Sequence, residues 1–418
     1  MKRIIAEIIT IGDEILYGQI LDTNTHWLSI QLDSIGVRIV RKTTVGDEEG
    51  EILKAFAEAE SRADIILITG GLGPTNDDLT KPALSKYFNS PLKIHEQALK
   101  ELTDLFNSRG KELTELNRQQ ATLPECCKMI SNKLGTATGM WFEKNGKVFI
   151  SMPGVPHEMK AMMESSIIPS LKNFFQTPVI YHKMIKTVGI GESWLADMIR
   201  NWENNLPSHI KLAYLPSVAH VKLRLTASGT SKEELKKDVD EQIQWLLPLA
   251  EKYIYGYDKT TLEEAVGILL KREKKTIATA ESCTGGAVAQ RITSIPGSSA
   301  YFKGGIIPYS NEIKEEILGV PKSTLVSYGA VSEETVKEMA AHVRKNFKAD
   351  IGIASSGIAG PSGGTPEKPV GTIWIAYNDG ENIFAKKLLL GNDRLVNIEQ
   401  ATIAILNMIR LQISKIHI

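Results

Sequence analysis

The chain has 418 residues, 42% hydrophobic and 23% charged, with 49 basic side chains against 49 acidic ones. Its length passes the ~250–300 residues at which a single core stops growing, so two or three domains are expected. A formal net charge of zero argues against a polyanion-binding surface, no stretch reaches the ~20 apolar residues of a membrane span, and Cys126, Cys127 and Cys283 form neither a zinc spacing nor a disulfide framework.

The opening MKRIIAEIITIG carries two basic residues and an apolar run, but Glu7 interrupts it and no small-residue cleavage pattern follows. It does not read as a signal peptide, and a cytoplasmic protein is expected. A strand over 3–11 leads into a segment where Leu28, Leu32 and Ile35 recur at helical spacing before Gly36 stops the helix. VRIVRKTTVG reads as the next strand, Asp47 as the cap of the helix EEGEILKAFAEAESR, and DIILIT as a strand buried on both faces. Strand, helix, strand, helix, strand predicts a parallel α/β sheet.

Two Gly-rich loops follow strands of this sheet. In ITGGLGPTNDDLT (68–80), Gly70, Gly71 and Gly73 let the backbone approach an anion while Asp77, Asp78 and Thr80 open the next helix. Carboxylates beside a phosphate cradle suggest Mg²⁺ or a similar ion carried with a phosphorylated ligand. A plain turn with a helix cap explains the same residues, but TIGDEILYGQILDTN (10–24), with Gly12, Asp13 and Glu14, also ends a strand. Two such loops on one sheet edge favour a site. Neither is a Walker A sequence nor G-x-G-x-x-G.

From about 172 to 255 the texture changes to a small α+β unit, with the alternating strand HVKLRLTAS and the helix SKEELKKDVDEQIQWLLPLAEKY. A third unit begins near Thr260, with the helix TLEEAVGILLKREK and the strand TIATA. It continues with a helix over 332–347 faced by Val336, Met339, Ala340, Val343 and Phe347. The strand DIGIAS, a Gly/Pro-rich loop, a hairpin turning at 378–380 and a last helix from about 394 complete it.

In AESCTGGAVAQRI, Ser282, Cys283 and Thr284 stand where the strand ends at Ala280 and a helix starts near Gly285 or Gly286. Either Ser282 or Thr284 caps that helix, or a nucleophile sits at its N-terminus. Nucleophilic cysteine and serine normally use a histidine. This domain has only His342, within the amphipathic 332–347 segment, and His417, the penultimate residue, and the motif is not G-x-S-x-G. Instead, SSAYFKGGIIPYSNEIKEEILGV offers Tyr301, Lys303, Tyr309 and Lys314, and a phenol or amine of lowered pKa can take a proton from serine. SSGIAGPSGGTPEKPVGT (355–372), with Gly357, Gly360, Gly363 and Gly364, offers a backbone nest for phosphate. Arg394 is a candidate partner for a phosphate or carboxamide.

GDEILYGQILDTN, TGGLGPTNDDLT, NRQQATLPE, NKLGTATGM and MPGVPHEM, in that order, closely resemble the N-terminal domain of the CinA competence/damage-inducible family, itself similar to molybdopterin-binding folds of the MogA/MoaB type. The resemblance implies a nucleotide-pyrophosphate site with ADP-ribose hydrolysis, with Gly12, Asp13, Glu14, Asn24, Gly70, Gly71, Gly73 and Thr75 toward the ligand. By match to the molybdopterin-binding pattern, Asp47 and Asp78 face the ligand or its divalent metal. The middle segment resembles the family's KH-like insert but lacks the G-x-x-G loop that clamps RNA, so it reads as a structural or dimerisation element.

AESCTGG, SSAYFKGGIIPYSNEIK, GIAGPSGGTPEKPVGT and Arg394 resemble the C-terminal domain of the same family, the nicotinamide mononucleotide (NMN) deamidases. The resemblance implies Ser282 as catalytic serine, with Tyr309, Lys314 and Arg394, for metal-free hydrolysis of NMN to nicotinate mononucleotide and ammonia. Tyr309 or Lys314 would be the base. Helix N–H groups beside Gly285 and Gly286 would hold the oxyanion, Thr284 would cap or contact ligand, and Cys283 would be a packed neighbour.

The expected organisation is thus a MogA/MoaB-like domain over 1–171, a KH-like α+β domain over 172–255 and a deamidase domain over 256–418. The expected partners are NMN and ADP-ribose as small-molecule nucleotides and a second copy in a homodimer, with neither membrane nor nucleic acid. Two rival readings are a competence-associated scaffold and a molybdopterin-binding protein without deamidase activity.

Overall fold

The computed structural model describes residues 4–75 and 77–415. The chain is a mixed α/β protein whose contacts divide into two compact units, residues 1–181 with 227–236, and residues 182–226 with 237–418. The helix Ile168–Phe175 runs through the boundary expected at 171, and a strand, Ile254–Tyr257, through the one expected at 255.

The first unit is built on a six-stranded sheet. Its strands are β1 (Ile5–Ile11), β2 (Arg38–Val45), β3 (Ile65–Thr69), β6 (Lys128–Ile130), β7 (Gly139–Lys144) and β8 (Lys147–Met152), while β4 (Leu92–Ile94) and β5 (Thr122–Pro124) form a separate pair. The order is β2-β1-β3-β8-β7-β6, with β2, β1, β3 and β8 parallel. The parallel sheet expected from the first strands is present, and at one edge β8-β7 and β7-β6 add antiparallel strands to it. The hairpin between β7 and β8 turns through Asn145 and Gly146, both at positive φ, the conformation an Asn-Gly pair adopts most readily.

Helices cover both faces, which is why the inner strands β1, β3 and β8 are buried almost without alternation. Ile8, Leu67 and Ile150 pack with Leu28 and Leu32, whereas Ile9, Ile66, Ile68 and Phe149 pack with Ile52 and Phe56 on the other side. Glu7 is the exception in β1. Its buried carboxylate accepts from Arg62 at 2.7 and 2.8 Å and from Thr43 at 2.8 Å, which satisfies a charge that would otherwise be costly to bury.

The KH-like region consists of β9 (Val179–Val188), β10 (Ile210–Ser217), β11 (His220–Gly229) and β12 (Ile254–Tyr257) in the order β10-β11-β9-β12, with helices Glu192–Asn204 and Lys232–Ala250. In the C-terminal region β13 (Ile277–Glu281), β14 (Phe302–Ile306), β15 (Ile351–Gly357), β16 (Thr372–Asn378) and β17 (Ile383–Leu389) form a sheet of order β14-β13-β15-β16-β17. The first three strands are parallel, and β16 and β17 complete the sheet as the antiparallel hairpin expected around 378–380.

Alternation along these strands sorts the core. Ile277, Ile351, Ile353, Ile373 and Ile375 meet Leu262, Val266, Leu270, Leu406 and Ile409 of the helices Leu262–Arg272 and Arg394–Ile413. Ala278, Ala280, Ala354 and Ala376 face the helix Glu333–Asn346, whose Val336, Met339, Ala340 and Val343 are fully buried. Small residues on that face let the helix come close, and each large apolar side chain buried there contributes about 1.5–3 kcal/mol.

Both sheets share one positional feature. In each, the first strand lies between the second and third, β2-β1-β3 and β14-β13-β15, so crossovers leave it to opposite sides. A crevice opens at the carboxyl ends of strands at such a reversal, and ligands bind there.

Candidate functional site

At the first reversal, β1 is followed by Gly12 and β3 by Gly70. Gly70 has φ 105, and a Cβ there would lie 2.0 Å from the carbonyl oxygen of Ile11, so the two strand ends meet only because this residue is glycine. The cavity they enclose has a volume of about 480 Å³. It brings together Gly12, Glu14, Asn24, Asp47, Gly70, Gly71, Gly73 and Asp78, while the exposed Asp13 and Thr75 are not part of its lining.

Asp78 closes the Gly-rich loop on itself. Its carboxylate accepts from the Gly73 N–H at 2.6 Å, the Thr75 N–H at 2.9 Å and the Thr75 hydroxyl at 2.6 Å. Asp47 does not cap the helix that follows it, as the sequence suggested. That helix, Glu49–Arg62, starts without a side-chain cap, and Asp47 instead accepts from the Asp13 N–H at 3.1 Å. Burial raises its pKa, and the neighbouring charges of Asp13, Glu14 and Asp77 add to the rise. Asn24 spans the crevice floor, donating to the Gly154 carbonyl at 2.6 Å.

Among the described residues no three His, Cys, Asp or Glu side chains converge into a ready-made metal cage. Mg²⁺ commonly needs only one or two carboxylates, with phosphate oxygens and water completing its shell. The crowded acids around Asp47 fit that manner of binding, because a cation relieves their mutual repulsion. The oxygens of Asp78 are already engaged by the loop.

At the second reversal, β13 runs to Glu281, one residue beyond the predicted end, and Ser282 begins a tight turn. The Ser282 N–H donates to the Ser355 carbonyl at 2.9 Å, which fixes the serine to the end of β15. Lys314 comes from the far side, where a helical turn, Asn311–Ile313, runs into a wider one, Lys314–Leu318. Its Nζ lies 3.2 Å from Ser282 Oγ and 2.8 Å from the Pro308 carbonyl oxygen. Lys314 is 2% exposed and Ser282 8%. Burial pulls the lysine pKa below its ordinary value, and the nearby Cys283 and Glu312 offset the shift only in part.

Tyr309 is 60% exposed, and its hydroxyl accepts from Arg394, not from the serine, at 2.8 Å. Arg394 also donates to the Gly360 carbonyl at 2.8 Å, so one guanidinium braces both the phenol and the Gly-rich loop. Asn397, one helical turn on, donates to the carbonyls of Ala359 and Gly391 and pins the loop's other side. Within the expected nest, Gly357 has a packing reason of its own, since a Cβ would lie 2.6 Å from the Ile373 side chain.

Glu281 was not legible in the sequence reading, which placed a hydroxyl at the helix cap. The helix Ala287–Thr293 is capped from within the strand: Glu281 accepts from the N–H groups of Gly286, Val288 and Ala289 at 3.1, 2.9 and 2.8 Å. The Thr284 hydroxyl donates to the same carboxylate at 2.8 Å and shares a 2.7 Å bond with Ser355. The Gly285 N–H donates to the Ser282 carbonyl. The amides of Gly285 and Gly286, expected to face an oxyanion, are therefore engaged inside the turn. An acidic residue just before a Gly-rich helix start was the available signal.

Cys283 is buried, and burial pushes its thiol up to about 12. That is unfavourable for a thiolate nucleophile. His342 pairs with Glu338 on its own helix, and His417 lies outside the described residues.

Comparison with known proteins now decides the family. The chain is 53% identical over 414 residues to a CinA-like protein of Cytophaga hutchinsonii, covering 99% of each chain. It belongs to the CinA family. A CinA-like protein of Flavobacterium psychrophilum is 43% identical over 412 residues, covering 98% of this chain and 99% of the relative. Three family models match: "Probable molybdopterin binding domain" over 7–173, "Damage-inducible protein CinA KH domain" over 182–256 and "CinA C-terminal domain" over 259–413. A competence/damage inducible protein from Agrobacterium tumefaciens, whose crystal structure is known, is 33% identical, covers 37% of this chain and 93% of its own, and superposes with a TM-score of 0.35. In this CinA-family chain no helix among the described residues is long and apolar enough to cross a membrane.

Proposed function

We propose that the C-terminal region of this CinA-family protein hydrolyses the carboxamide of NMN to nicotinate mononucleotide and ammonia, with Ser282 as nucleophile and Lys314 as base. The observation that carries this reading is the 3.2 Å approach of Lys314 Nζ to Ser282 Oγ in a buried setting that lowers the lysine pKa. Tyr309, turned toward Arg394, is the weaker candidate for the base.

In the proposed sequence neutral Lys314 takes the Ser282 proton as Oγ bonds to the carboxamide carbon. The Cys283 and Thr284 amides would serve the developing oxyanion. Protonated Lys314 then passes its proton to the nitrogen as the C–N bond breaks, releasing ammonia and leaving an ester on Ser282. Lys314 next deprotonates a water that attacks the ester carbon. The proton returns to Ser282 Oγ as the carboxylate product departs. One water is consumed, and the lysine ends neutral as it began.

The substrate class suits the surroundings. The nicotinamide ring of NMN is a pyridinium cation, and the exposed ring of Tyr309, held at its hydroxyl by Arg394, offers an aromatic face for it. The Gly-rich loop at 360–364, beside the Arg394 charge, supports a place for the 5′-phosphate.

For the N-terminal cavity we propose binding of a nucleotide pyrophosphate with a divalent cation, and hydrolysis of ADP-ribose as its reaction. Asp47, with Asp13 or Glu14, would hold the cation, which would screen the pyrophosphate charge. Asp78 and Thr75 shape the loop whose glycines receive the phosphates. The test of the main reading is ammonia release from NMN in the presence of EDTA. Release that is lost in Ser282→Ala and kept in Cys283→Ala supports it, and no release from the wild type overturns it.

A further inference from the structure

Glu281 makes more contacts with the Ser282 turn than any residue the proposed reaction uses. It is 1% exposed, lies in the strand immediately before the serine, and spends both carboxylate oxygens on the turn that follows. One oxygen binds the Ala289 N–H. The other gathers the Thr284 hydroxyl and the amides of Gly286 and Val288. Since Thr284 donates to Glu281, the 2.7 Å bond between Thr284 and Ser355 must be donated by Ser355. The order is Ser355 to Thr284 to Glu281, a chain of hydroxyls oriented by one buried carboxylate.

We infer that Glu281 is a positioning residue for the Ser282 nucleophile: its carboxylate folds residues 282–289 around itself and fixes Ser282 Oγ at Lys314. This rests on the reading of Ser282 as a nucleophile. The alternative role for such a carboxylate, capping the short helix Ala287–Thr293 for stability alone, uses only the three amides. It gives no part to Thr284 and Ser355, which tie the turn back to the strand that also holds the Ser282 N–H.

A glutamine in its place keeps the shape. Its amide nitrogen, however, would confront N–H donors, so the turn must shift. The effect falls on the transition state, where alignment matters most, and less on substrate affinity.

The experiment uses the full chain and two readouts on the wild type, Glu281→Gln and Thr284→Val. The first is steady-state NMN deamidation. The second is the rate at which a fluorophosphonate labels Ser282, followed by intact mass, which needs no nicotinamide substrate. The expected result for Glu281→Gln is a fall in kcat of about 100-fold with KM within threefold, matched by labelling at least about tenfold slower. Thr284→Val, which retains the three amide bonds, should show the same split at smaller size. It decides the matter if the glutamine variant does not fold.

A folded Glu281→Gln protein with wild-type kcat and labelling rate overturns the inference, as does a loss confined to KM or to melting temperature. If the wild type is labelled at Ser282 but releases no ammonia from NMN, the deamidase reading fails and the labelling rates still decide the role of Glu281. A wild type that neither labels nor turns over removes Ser282 as nucleophile, and the inference falls with it.

Discussion

Lys314 Nζ is held between two oxygens, Ser282 Oγ at 3.2 Å and the Pro308 carbonyl at 2.8 Å, inside a site where the lysine is almost wholly removed from solvent. The carbonyl fixes where the amine points while leaving its charge unpaired. Burial can then favour the neutral base.

Replacing Lys314 with methionine keeps the stem and removes the amine. General-base contributions run to ~10²–10⁴-fold, and a loss of that size in kcat for NMN deamidation is expected, with a fold preserved by circular dichroism. Tyr309→Phe, by contrast, should retain most of kcat. Kinetics on the two variants check which group is the base.

The pH dependence follows from the direction of the lysine shift. The proposed reaction needs neutral Lys314, so kcat/KM should rise with pH and level off above the depressed lysine pKa, below the ordinary 10.5. For stability, the folded state binds fewer protons than the unfolded one between the depressed value and 10.5. The cost of burying the ammonium is therefore full below the folded pKa and fades as pH rises to 10.5. A pH–rate profile checks the first statement, and urea melts of wild type against Lys314→Met across that range check the second.

Arg394→Lys removes the planar fork that reaches Tyr309 and Gly360 together. A single ammonium cannot make both bonds in that geometry. The expected outcome is a rise in KM for NMN of about tenfold, larger than the change in kcat, since each such charged hydrogen bond contributes ~1.5–3 kcal/mol. Steady-state kinetics measure it.

In the N-terminal cavity Asp47→Asn and Asp78→Asn should fail differently. Asp47→Asn leaves the loop intact and removes charge from the acidic cluster, so Mn²⁺ affinity measured by calorimetry with ADP-ribose present should drop by at least about tenfold. Asp78→Asn loses acceptors for the Gly73 and Thr75 donors, and loop opening should show as faster amide exchange over 71–79.

Gly70→Ala tests the strand-end contact beneath the same cavity. A methyl 2.0 Å from the Ile11 carbonyl, at a φ of 105, cannot be accommodated without moving β1 or β3. Destabilisation by more than about 2 kcal/mol is expected, read as a lowered midpoint in urea.

Much of the fold was legible because hydrophobic periodicity is a local property. The buried runs of β1, β3, β13 and β15, the face of Glu333–Asn346 and the glycines after the strands all declare themselves within a few residues. The two Gly-rich loops were likewise readable as one sheet edge, and Ser282, Tyr309, Lys314 and Arg394 as one motif set. What the sequence left open depended on contacts across long separations. Asp47 is adjacent to a helix start and looks like its cap, yet it turns to a residue 34 positions away. Tyr309 and Lys314 are equally plausible bases in a string of letters, and only the fold sends the amine to the serine and the phenol to Arg394. Glu281 reads as one more polar letter before Ser282, because nothing local says that a strand's last side chain bends back to hold the next helix. Side-chain chemistry and spacing narrowed the candidates, and the family resemblance implied which of them act. Burial, which selects protonation state, and direction, which selects hydrogen-bond partner, were decided by the tertiary structure.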